Sequence, residues 1–200
     1  MSSRNKRWLR RAEWVTLLIG LAAIGYYGYV FFEARRYQAQ ELEALSQIQT
    51  EPSTTRVEPR IQPQPGSLVG RVEIPRIGLS SAILEGIDAK TLRRGLGHIP
   101  GTALPGESGN MGVAGHRDTF FRPLQGIRPD DTIRLITVNG SYEYKVGSIE
   151  VVEPHETRVL SPSSDSVLTL VTCYPFYYVG PAPKRFIVRA QRVSEAATLQ

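Results

Sequence analysis

A single cysteine, Cys173, among 200 residues excludes an intramolecular disulfide framework and a cysteine-rich zinc module. The three histidines, His98, His116 and His155, lack the close spacing of a zinc site, so a metal centre is not expected. There is no P-loop, no internal repeat and no dinucleotide fingerprint; the glycines between Gly95 and Gly115 do not follow G-x-G-x-x-G spacing at a strand-to-helix step. Surplus charge is also scarce where a domain would fold. The net charge is +5, but Arg4, Lys6, Arg7, Arg10 and Arg11 crowd the first 11 residues with no acid among them. From Ser67 onward 15 Lys and Arg face 13 Asp and Glu, a surplus of only +2. The basic character belongs mostly to the N-terminus, and nucleic-acid binding is not expected.

Of long apolar runs there is one. Residues 14–32, WVTLLIGLAAIGYYGYVFF, carry no charge over 19 positions, enough to cross a hydrocarbon core of roughly 30 Å. Trp8 and Trp14 at one end and Tyr26, Tyr27 and Tyr29 towards the other suit the two membrane interfaces. The run ends at Tyr29-Val30-Phe31-Phe32-Glu33 without a small-residue cleavage site, which argues for a retained transmembrane helix over a cleaved signal. Five cations precede it, so residues 1–13 are expected to be a cytoplasmic tail, with everything after Phe32 extracytoplasmic. Residues 33–49 favour helix, and residues 50–66 hold Pro52, Pro59, Pro63 and Pro65 without a sustained period. Residues 33–66 therefore read as a helical then proline-rich stalk.

Residues 67–200 form the body. Short β-rich runs alternate with turn residues over Ser67–Ile74, Ser80–Leu84, Met111–Ala114, Thr132–Val138, Ser141–Val152, Ser166–Thr172 and Arg185–Val193. Tyr142, Tyr144 and Val146 alternate with Glu143, Lys145 and Gly147, the period of a half-buried strand. Asn139-Gly140 predicts a hairpin. Short helices are predicted over Asp88–Arg94 and Thr119–Gln125, the second capped by Asp118 or Thr119. The fold class is mainly β, as a closed barrel or a sandwich; periodicity does not separate the two.

Few residues offer chemistry. Cys173 ends an apolar strand-like run and precedes Tyr174-Pro175, where the chain turns, so it reads either as an exposed nucleophile or as a small buried hydrophobe. His116 follows the run Met111–Ala114 and is a candidate general acid or base, or an ordinary loop histidine. Arg185 opens the last strand, placed either to stabilise an oxyanion or simply to be solvated.

In combination these positions say more. Thr169-Leu170-Val171-Thr172-Cys173 resembles the TLxTC signature of sortases, the membrane-anchored cysteine transpeptidases of bacterial surfaces. Arg185 stands where that family's arginine follows the cysteine, and Ala114-Gly115-His116-Arg117 fits its A-G-H-x motif. The runs Thr169–Ala190, Gly70–Pro75 and Gly97–Thr102 resemble the class D subgroup especially. The resemblance implies an eight-stranded sortase β-barrel in which Cys173 is the nucleophile, His116 the general acid and base, and Arg185 the oxyanion or substrate stabiliser. It implies cleavage of an LPxTG-like sorting motif through a thioacyl-enzyme and transfer to an amine, with no cofactor. The implied partners are sorting-motif-bearing surface proteins or pilins, a peptidoglycan or lysine amine, and the membrane. Thr172 and Tyr174 are weaker candidates, Thr172 near the oxyanion and Tyr174 as a groove wall or packing aromatic. Thr169 reads as strand packing, His98 has no assigned role, and His155 reads as a surface residue. A cysteine hydrolase that only cleaves, or a non-enzymatic tethered barrel, would share the same features.

Overall fold

The computed structural model describes residues 14–26, 28, 29, 32, 36 and 63–193. The chain divides into two units, Met1–Tyr37 and Gln38–Gln200. In the first, residues 14–26 are helical, and Trp14, Leu17, Leu18, Leu21 and Ile24 all leave their side chains exposed. Among the described residues no helix is long and apolar enough to cross a membrane. Tyr27, Val30 and Phe31 of the expected span lie outside the described residues, as do residues 1–13 and, apart from Arg36 and residues 63–66, the stalk.

Among its described residues the second unit holds eight strands: β1 (Leu68–Ile74), β2 (Leu79–Glu85), β3 (Leu96–His98), β4 (Gly109–Gly115), β5 (Thr132–Thr137), β6 (Gly140–Val152), β7 (Ser166–Tyr174) and β8 (Lys184–Arg192). They close in the order β1-β2-β3-β4-β7-β8-β6-β5. The barrel thereby wins over the sandwich, and closure removes the unpaired sheet edges that a sandwich must protect. Only β2 with β3 and β4 with β7 pair in parallel. Seven strands match the predicted runs to within two residues at each end. The eighth, β3, gave no periodic signal because it is three residues long with a glycine at its centre. That glycine is sterically required: a Cβ on Gly97 would stand 2.3 Å from the Gly86 carbonyl oxygen.

The predicted helix at Asp88–Arg94 forms over Ala89–Arg94, with the Asp88 carboxylate accepting from the Lys90 and Thr91 amides. The predicted helix at Thr119–Gln125 does not form as such. A turn over residues 117–121 leads into a 3-10 segment, Arg122–Gly126, and neither Asp118 nor Thr119 caps it. Leu124 within it and Phe121 and Ile127 at its two caps are buried, spaced by three, and the Leu124 and Ile127 amides donate to the carbonyls three residues back. That spacing fits three residues per turn better than 3.6.

Alternation decides which side chains enter the barrel. Met111 and Val113 of β4, Leu168 and Leu170 of β7, and Val188 and Ala190 of β8 belong to the core. Continuing the period of two, Gly115, Thr172 and Phe186 face inward, whereas Asn110, Gly112, Thr169, Cys173 and Arg185 face outward. The outer face of β4 and β7 is not left open along its whole length. A 3-10 turn, Thr157–Leu160, lies across its lower part, and a Cβ on Gly112 would meet Leu160 and Ile99 at 2.9 and 3.0 Å.

Candidate active site

The site is built by register. Cys173 pairs directly with Arg185 across the antiparallel β7 and β8. On the other side Gly115, the residue before His116, pairs with Thr172, the residue before Cys173, across the parallel β4 and β7, which brings His116 and Cys173 to the same rim of the barrel. Neighbouring strands lie about 4.8 Å apart, so the backbone of the three residues gathers within about 10 Å at this rim. His116 is exposed, and Cys173 and Arg185 are half-buried. Below them the row Ala114, Val171 and Ile187 makes an apolar floor to the same face.

Local structure fixes each member. The Phe121 amide donates to the His116 carbonyl at 3.0 Å, closing the turn that follows β4. Gly115 carries no side chain because a Cβ there would fall 2.5 Å from Leu96 and 2.7 Å from Phe121, both in the core. Arg185 Nη1 donates to the Lys184 carbonyl at 3.1 Å and the Ala182 carbonyl at 3.4 Å, which holds the guanidinium at the rim of the β7–β8 loop. Among the described residues no three His, Cys, Asp or Glu side chains gather as metal ligands.

The weaker candidates are placed differently. The Thr172 hydroxyl donates to the Gly115 carbonyl at 2.7 Å, on the face opposite Cys173. It ties the strand end carrying His116 to the one carrying the thiol. Tyr174 stacks on Phe186 at 6.2 Å between centroids and meets Phe176 edge-on at 6.1 Å, forming an aromatic cluster on the core side. His155 is exposed.

Three features escaped sequence reasoning. Thr169 does more than pack: its buried hydroxyl donates to Asn110 Oδ1 at 2.6 Å. The Asn110 amide in turn donates to the Val159 and Ser161 carbonyls at 2.9 and 3.2 Å, clamping the Thr157–Leu160 turn to the outer wall. His98 is buried with Nδ1 at 2.7 Å from the Glu85 carboxylate and Nε2 at 3.0 Å from both the Ala103 carbonyl and Thr102 Oγ1. Thr102 Oγ1 also accepts from the Gly112 amide at 3.0 Å, so this cluster seats the β3–β4 connection against β4. Arg117 is the third, and grips the β7–β8 loop. A lone polar residue opening an apolar run, as Asn110 does, was the one available signal; apart from Thr102 and Ala103 close to His98, the partners lie far along the chain.

The described residues thus form a closed barrel of eight strands, with the lone cysteine near the end of β7 and paired in register with Arg185. A family profile described as the sortase domain matches residues 72–193. Sortase D of Bacillus subtilis is 32% identical over 186 residues, covering 88% of this chain and 94% of the relative. A Clostridium perfringens sortase D5 transpeptidase superposes with a TM-score of 0.61 at 30% identity, covering 66% of this chain and 83% of that one. Sortase C1 from Streptococcus suis does so with a TM-score of 0.61 at 28% identity, covering 68% and 78%. The chain belongs to the sortase family, and is a cysteine transpeptidase by that membership.

Proposed function

We propose that the chain cleaves an LPxTG-like sorting motif and joins the acyl fragment to an amine. The observation that carries this reading is the register that pairs Cys173 with Arg185 and pairs Thr172 with Gly115, the residue before His116. Cys173 is the sole cysteine of the sequence, so a cysteine mechanism has one candidate nucleophile. Its thiolate attacks the scissile carbonyl, and Arg185 donates hydrogen bonds to the oxyanion or to the substrate backbone. Collapse of the tetrahedral intermediate breaks the C–N bond. His116 as imidazolium protonates the departing amine, leaving a thioester on Cys173. In the second half the neutral imidazole accepts a proton from the incoming amine as the new amide forms and the thiolate departs. The acceptor amine belongs to a peptidoglycan peptide or a pilin lysine.

The chain works as a tethered enzyme: residues 1–13 a cytoplasmic tail, 14–32 a membrane span, 33–66 a stalk and 67–200 the catalytic domain outside the cytoplasm. Support comes from the uncharged run of 19 residues behind five cations, and from the exposed apolar side chains of the helix over residues 14–26. The test is incubation of the full chain in mild detergent with an LPxTG peptide and triglycine, read by mass spectrometry. Joined product is expected, with none from Cys173→Ala. Undiminished product from that variant refutes the mechanism, and hydrolysed peptide alone at saturating triglycine makes the protein a hydrolase.

A further inference from the structure

The chain leaves β7 at Tyr174 and enters β8 at Lys184, so residues 175–183 bridge the ends of the two strands that carry Cys173 and Arg185. The tip of this loop is exposed: Tyr177, Tyr178 and Val179 show 69%, 47% and 99% of their surface. A loop with so little burial of its own opens at small cost unless something fastens it. The fastening comes from the residues just after His116. Arg117 Nη2 donates to the Tyr178 carbonyl at 2.8 Å and to the Gly180 carbonyl at 3.2 Å. Its guanidinium carbon also lies 5.7 Å from the centroid of the Tyr178 ring, within range of a cation–π contact. Arg122, 4.9 Å from the centroid of the Tyr177 ring, adds a second attachment a turn further on.

Stability alone accounts poorly for this arrangement. Arg117 Nη1 is shut away from solvent with no hydrogen-bond acceptor, a placement that folding disfavours. The guanidinium is spent instead on two loop carbonyls, and the residue that spends it adjoins His116. One side chain thus joins the imidazole's strand end to the loop beside the thiol.

We propose that Arg117 is a positioning residue for the second half-reaction, clamping residues 178–180 beside the thioester so that an amine, and not water, resolves it. The inference rests on the transpeptidase reading above. The thioester carbonyl takes one of two nucleophiles. An amine forms the amide C–N bond, loses its proton to His116 and breaks the C–S bond, returning the sulfur as a thiolate. Water forms a C–O bond, also losing a proton to His116, and leaves a carboxylic acid and the same thiolate. Arg117 touches neither the sulfur nor the acyl group; it restricts access to them through the loop.

The test uses the full chain in mild detergent, an LPxTG peptide and triglycine at several concentrations, and reads the ratio of hydrolysed to joined peptide by mass spectrometry. That ratio is set after the thioester forms, so any general loss of acylation cancels. Arg117→Ala is expected to raise it about three- to ten-fold, as loss of one or two hydrogen bonds would. Arg117→Lys is expected to raise it as well, because a lysine ammonium stops short of the position of Nη2, which makes both bonds, and offers no planar face to the Tyr178 ring. If the alanine variant does not fold, the lysine variant carries the same readout. Chymotrypsin cleavage after Tyr177 and Tyr178 reports loop release independently and is expected to quicken in both. An unchanged ratio with faster cleavage overturns the proposal, since the loop then moves without guarding the thioester. Hydrolysed and joined products falling in proportion also overturn it, by making Arg117 structural. Wild-type protein that joins no peptide at any triglycine concentration refutes the transpeptidase reading itself.

Discussion

Replacing Thr169 by valine keeps the shape of the side chain and removes one hydroxyl, which makes it a sharp probe of the clamp on the outer wall. That hydroxyl is the donor to Asn110 Oδ1 at 2.6 Å, in a place where both residues are almost wholly shielded from water. Valine leaves the amide oxygen buried without its partner, at a cost of about 1–3 kcal/mol. For a domain of this size each kcal/mol lowers Tm by about 3–4 °C, so the full chain in detergent should melt about 3–12 °C lower. Thr169→Ser keeps the donor and should recover most of the loss. Asn110→Leu should cost more than Thr169→Val, because it orphans the Val159 and Ser161 carbonyls as well. The double variant should cost less than the sum of the two, since the residues share one network. Circular dichroism melts of the five proteins decide the matter. A valine variant as stable as wild type, or a serine variant as weak as valine, refutes the reasoning.

Gly115→Ala should destabilise the barrel by about 1–3 kcal/mol, the usual range for overpacking, and should slow thioester formation by displacing His116. The new methyl would lie 2.5 Å from Leu96 and 2.7 Å from Phe121, and unaltered Tm and rate would contradict this. Asp131 accepts hydrogen bonds from Arg76 and, at 2.8 Å, from the Arg128 amide, and the Arg76 guanidinium foremost holds its carboxyl below the ordinary range. A carboxyl lowered by folding stabilises fully above its unfolded pKa, and that contribution drains as pH falls through the folded value. Asp131→Asn should therefore melt well below wild type at pH 7, with the gap narrowing as the solution is acidified below about pH 4. A gap that stays constant with pH would show that the charge is not the cause.

How much of this was legible depends on the range of each interaction. Alternation on Tyr142, Tyr144 and Val146 marked β6 because one face of that strand is wet and the other packs on the core. Strand β3 stayed hidden because its pairing is dictated by contacts of Gly97 with Gly86 and by neighbours on both sides, none of which has a local signature. The helix expected at Thr119–Gln125 failed for the opposite reason. Its apolar residues were real, but burial of Phe121, Leu124 and Ile127 selects a tighter coil than the assumed period. Cys173, His116 and Arg185 could be picked out as residues at strand ends, yet their register could not. The Thr169–Asn110 and Arg117–Tyr178 contacts, 59 and 61 residues apart in sequence, depend on the same closure and left no mark on either partner's surroundings.

The pairing directions explain why this closure produces a site at all. Because β4 and β7 are parallel, their C-terminal ends emerge at one rim of the barrel, and the last residue of β4, just before His116, pairs with Thr172, just before Cys173. An antiparallel pairing would send His116 to one rim and Cys173 to the other, some seven residues or about 23 Å away. β8, running the other way, begins where β7 ends, so Arg185 arrives at that rim as soon as the loop returns. Two strand exits and one entrance thus meet at a single edge. Every short loop there can serve the same few atoms, which is the position that Arg117 and residues 175–183 occupy.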